Sequence, residues 1–168
     1  MFTQAHQFAK RTNQIVAFEP YANCVPNWLI PIIGWIIYII TTIIGIIWNA
    51  DFSATASYSG KWFIELVVAP ILETFLIQYL VIELINVISR VVIKEDFYLL
   101  GLVLSVVFWV YEHSYSLDYM IYSSIDGLML AITYIIFCRR KNRWFAFLMV
   151  YLLHSFINLT AQLYDLIF

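Results

Sequence analysis

Four residues of this 168-residue chain combine acid, base and amide chemistry with an apolar setting: Glu73, His113, His154 and Asn158. A carboxylate and two imidazoles can move protons or polarise water, and an imidazole with an amide can donate hydrogen bonds to a developing oxyanion. Glu73 sits among Ala69, Pro70, Ile71, Leu72, Thr74, Phe75, Leu76, Ile77 and Gln78, inside an apolar run too long for a soluble helix. An ionisable side chain at membrane depth is by default a candidate functional group. Pro70 removes a helical N–H and crowds the carbonyl of Leu66, which bends the helix one turn before the carboxylate and predicts a polar cavity there. Of the three histidines, His6 lies in a polar lead, whereas His113 and His154 lie in apolar segments. His113 follows Trp109 by four residues and His154 precedes Asn158 by four, so each pair shares one helix face.

The elements that must position these groups are membrane spans. With 63% hydrophobic and 12% charged residues and a mean hydropathy of +0.84, the chain has more apolar surface than one water-soluble core can hide. This composition predicts an all-α, polytopic helix bundle with membrane lipids as its surroundings. Cys24 and Cys138 stand apart without a CxxC spacing and read as inert thiols. No phosphate-binding glycine loop and no nucleic-acid motif is present.

Hydropathy divides the chain into a cytoplasmic lead over residues 1–28 and one transmembrane domain over 29–168. Five spans are expected, at 28–48, 62–93, 97–115, 118–137 and 144–167; a bilayer core demands ~20 residues, and the second run, at ~48 Å, must tilt, bend at Pro70 or extend beyond the hydrocarbon. The small-residue triplet Ala54, Thr55 and Ala56 in the polar loop 49–60 resembles a signal-peptidase site. The apolar run before it exceeds a signal h-region, so it reads as a permanent span. Lys10, Arg11, Arg90, Lys94, Arg139, Arg140, Lys141 and Arg143 fall on one side of this arrangement and Lys61 on the other. The positive-inside rule therefore predicts a cytoplasmic N-terminus and an external C-terminus. At 1.5 Å per residue, Glu73 lies ~26 Å above Arg90, His113 ~24 Å above Phe97 and His154 ~17 Å above Arg143, depths at which the groups can converge. Glu65 and Glu112 read as near-interface acids, and Glu83 and Asp126 as structural ones.

The order Glu73-Thr74-xxx-Gln78, Trp109-xxx-His113, His154-xxx-Asn158 resembles the CPBP intramembrane proteases, the CAAX-processing and bacteriocin-processing enzymes. Their pattern is EExxxR, FxxxH and HxxxN or HxxxD. The resemblance spans about residues 62–159, and includes the Ala-Pro before Glu73, Asp126-Gly127 and the basic turn before Trp144. It implies an intramembrane endopeptidase in which Glu73 and His113 activate water and His154 and Asn158 stabilise the oxyanion, with Thr74, Gln78 and Trp109 in support. The implied substrate is a peptide or membrane-anchored protein, and the implied location is a prokaryotic cell membrane. Thr74 and Gln78 replace the family's second glutamate and arginine together, which removes an ion pair without orphaning a charge, and a neutral hydrogen bond between them is expected.

No cofactor is implied by this reading. The alternative is Zn²⁺ held by Glu73, His113 and His154, since one carboxylate and two imidazoles also make a catalytic zinc set. Two further functions fit the sequence: an inactive immunity or assembly protein built on the same frame, and a small proton-coupled carrier.

Overall fold

The computed structural model describes residues 2–17, 24–47 and 62–167. The expected loop 49–60 with its Ala54-Thr55-Ala56 triplet, together with Glu19, Trp48 and Lys61, lies outside them. Among the described residues all regular structure is helical: α1 (Phe2–Val16), α2 (Leu29–Ile47), α3 (Ile64–Val92), α4 (Tyr98–Glu112), α5 (Leu117–Arg140) and α6 (Arg143–Ile167).

The bundle hides polar groups and presents apolar ones. Thr74, Gln78, Asn86 and Ser105 are each fully buried, while the isoleucines of α2 from Ile32 to Ile47 are exposed over much of its surface. This inverts the pattern of a water-soluble domain, and it is what a hydrocarbon surround selects. Among the described residues four helices are long and apolar enough to cross a membrane: Leu29–Ile47, Ile64–Val92, Leu117–Arg140 and Arg143–Tyr164.

The expected third span is shorter than hydropathy suggests. Its helix, α4, has 15 residues and stops at Glu112. The cause is local chemistry at both ends. Asn13 of α1 accepts from the Tyr98 N–H at 2.9 Å and donates to the Asp96 carbonyl at 2.6 Å, and Asn86 accepts from the Phe97 N–H at 3.1 Å, so the N-terminus of α4 is fixed by side chains from two other helices. At the far end Ser116 accepts from the Tyr119 N–H at 3.1 Å and starts α5 at once.

One end of the bundle gathers the basic segments. The turn between α3 and α4 meets α1 through Asn13, and Arg140 donates to the Val25 carbonyl at 2.9 Å and to Asn27 Oδ1 at 2.8 Å. Glu83 lies between these turns, with its carboxylate 2.9 Å from Arg143 Nε and accepting from the Tyr134 hydroxyl at 3.0 Å. The central helix is α5, whose Leu130, Ala131, Tyr134, Ile135 and Phe137 are at most 1% exposed. Gly101 lets α4 lie directly on α3, since a Cβ there would stand 3.2 Å from the Ile82 backbone.

Candidate functional site

The widened backbone of α3 comes first. Ile64–Val68 and Thr74–Leu80 are π-helical, and the Ala69 N–H bonds to the Ile64 carbonyl, an i→i+5 pair. In that register the carbonyl opposite Pro70 belongs to Glu65 and not to Leu66 as an α-helix predicts. Proline has no N–H to offer it. Asn158 of α6 fills the gap, donating to the Glu65 carbonyl at 2.8 Å, and Gln162 one turn on donates to the Glu65 carboxylate. Asn158 therefore repairs a backbone defect and ties α6 to α3. Two π segments flanking one carboxylate match the general association of π-bulges with functional sites.

Between those segments stands Glu73. Its Oε2 is 3.5 Å from His154 Nε2, and the two side chains are 32% and 4% exposed. The approach is long for a direct hydrogen bond. Catalytic contacts without substrate are commonly long, and they tighten when a substrate is bound. His154 Nδ1 is buried without a hydrogen-bond partner.

Trp109 organises the histidines. Its ring stacks on His113 with centroids 4.5 Å apart and meets His154 edge-on at 5.1 Å. The indole thus touches both imidazoles, and its Nε1 is buried without a partner. His113 caps the end of α4, its Nδ1 donating to the Trp109 carbonyl at 2.8 Å, which in the neutral ring leaves Nε2 as the acceptor. The structure brings Glu73 and His154 into contact and holds His113 against the indole they share. Glu112 lies within electrostatic range of Glu73.

Two expectations change. Thr74 and Gln78 form no hydrogen bond with each other: Thr74 Oγ1 and both amide atoms of Gln78 are buried without partners. The turn carrying them is π-helical, so residues four apart lose the stacking an α-helix gives them. Asn158 serves Glu65 and not an open oxyanion position. For zinc, among the described residues no three His, Cys, Asp or Glu side chains gather closely enough to hold a metal ion.

Gly127 was legible only as a motif glycine, and its reason is steric. A Cβ there would come within 2.6 Å of Trp109 Cδ1. Gly127→Ala must displace the indole, and overpacking of this kind costs about 1–3 kcal/mol. Its expected effect is a shifted tryptophan emission and a lowered stability in detergent, relative to Gly34→Ala. At Gly34 the new Cβ would meet the flexible ends of Leu153 and Met129.

When compared with protein-family profiles, curated proteins and solved structures, the chain matches none of them.

Proposed function

We propose that the protein is a multi-pass intramembrane endopeptidase that hydrolyses a peptide or membrane-anchored protein with water activated by Glu73. The contact between the Glu73 carboxylate and the His154 imidazole, set inside an apolar bundle, carries this reading. Glu73 takes a proton from water as its oxygen attacks the peptide carbonyl. The proton then passes to the leaving amine as the C–N bond breaks. His154 orients the carboxylate. With Asn158 engaged by Glu65, the unpartnered Trp109 Nε1–H is the donor on hand for the oxyanion.

The topology proposed with it has the N-terminus in the cytoplasm, because α1 and the basic turns share one end of the bundle. In this arrangement α4 makes a short fifth crossing, and the cell membrane of a prokaryote is the setting. A second reading, a non-catalytic immunity or assembly protein, is favoured by two observations: Asn158 has a structural task, and Thr74 and Gln78 support nothing by hydrogen bonding.

The test is reconstitution into liposomes with membrane-anchored peptide substrates, with new peptide termini read by mass spectrometry. Cleavage by the wild type that falls about 100-fold or more in His154→Gln supports the peptidase. Unaltered cleavage in the variant removes His154 from the mechanism. Absence of new termini from the wild type across a broad substrate set leaves the non-catalytic reading.

A further inference from the structure

A cavity of about 390 Å³ opens at the basic end of the bundle, away from Glu73, with Tyr79 and Trp144 beside Arg90, Arg143, Tyr98 and Asn142. We infer that it binds the phosphate of an anionic phospholipid headgroup. This assignment does not rest on the peptidase reading.

Among the described residues the wall of the cavity carries two guanidinium groups and no carboxylate. Their counter-ions stand behind them: Arg90 Nε donates to Asp96 Oδ1 at 2.5 Å, and Arg143 Nε lies 2.9 Å from Glu83 Oε2. Both contacts run through Nε, whereas each guanidinium has four further N–H groups on its terminal nitrogens. Each carboxylate lies within ion-pair distance of its guanidinium, which reduces the side-chain freedom lost when an anion binds. Planar forks of this kind match phosphate oxygens two at a time. Asn142 spends its Oδ1 on the Phe145 N–H at 2.8 Å, which leaves its amide hydrogens as donors.

The surface beside the cavity argues for a lipid over a free phosphate. Trp144, 68% exposed, stacks on Tyr79 with centroids 5.6 Å apart, and Tyr79 stacks on Phe75 at 5.4 Å. These three rings form an apolar ramp leading from the two arginines along α3. An acyl chain can lie along such a ramp, for which inorganic phosphate has no use. The arginines also stand at the ends of the apolar helices α3 and α6, where headgroups sit.

Purified protein is placed in phosphatidylcholine nanodiscs with and without phosphatidylglycerol, and lipid retention is read by native mass spectrometry beside the thermal midpoint. The expected result is selective retention of phosphatidylglycerol with a raised midpoint. Arg90→Gln and Arg143→Lys, the latter keeping a cation for Glu83, should each weaken that retention about tenfold or more. Lys141→Gln, on the exposed neighbouring turn, should leave it unchanged. Equal retention of the two lipids overturns the site, as does an effect of Lys141→Gln matching that of Arg90→Gln, which marks diffuse surface charge. Stabilisation by inorganic phosphate in phosphatidylcholine discs equal to that by phosphatidylglycerol overturns the lipid assignment.

Discussion

On the proposed peptidase mechanism, Glu73→Gln is expected to leave the bundle folded and to lower peptide-bond cleavage by about 10²–10⁴-fold, the range that a positioned general base supplies. The substitution keeps the length and shape of the side chain and removes only its ability to take a proton. Glu73 is about one-third exposed and its contact with His154 is long, so the fold does not lean on the charge. At 1.36 kcal/mol per decade the loss is about 3–5 kcal/mol in the barrier. The same substitution in a structural strut would lower thermal stability and leave any cleavage per folded molecule unaltered. Cleavage and melting in the same liposome preparation therefore separate the two roles. Retained cleavage with lowered stability would sink the mechanism.

The helical character and most of the helix boundaries were readable because the apolar runs follow one rule that hydrocarbon selects for: apolar residues outward for about the thickness of a bilayer. Glu73 and His154 stood out for the same reason, as ionisable groups that this rule penalises. Features made by contacts across the bundle were not readable. The shortening of the third span depends on Asn13, Asn86 and Ser116, each an ordinary polar residue in sequence. The role of Asn158 depends on a π register that shifts the unpaired carbonyl from Leu66 to Glu65. Pro70 signals that some carbonyl loses its partner, but the periodicity of an apolar run does not say which. A second π segment, Thr74–Leu80, defeated the expected Thr74–Gln78 hydrogen bond. Sequence spacing marked Trp109 only as a substitute for phenylalanine, while its contact with both imidazoles and Gly127 makes it the centre of the site.

Glu83 was legible as a structural acid, and its partners set the largest stability effect expected. Arg143→Ala leaves its carboxylate, only 9% exposed, with the Tyr134 hydroxyl at 3.0 Å and the Cys138 thiol at 3.5 Å and no cation in ion-pair contact, Arg90 acting on it only at longer range. Breaking a fully buried pair from one side costs about 3–5 kcal/mol. Arg143 is 42% exposed, and water can enter where its guanidinium stood. The expected loss is therefore about 2–3 kcal/mol, measured by unfolding in mixed micelles with rising denaturing detergent. Glu83→Gln alone should cost about 1 kcal/mol, because the freed guanidinium is hydrated while the amide can still accept from Tyr134. The double variant should be no less stable than Glu83→Gln alone, since no buried charge is then left unmatched, and the interaction energy from the cycle should exceed about 1 kcal/mol. Single losses that simply add would show that Arg143 and Glu83 act independently, and that something other than this pair fixes the start of α6 against α3 and α5.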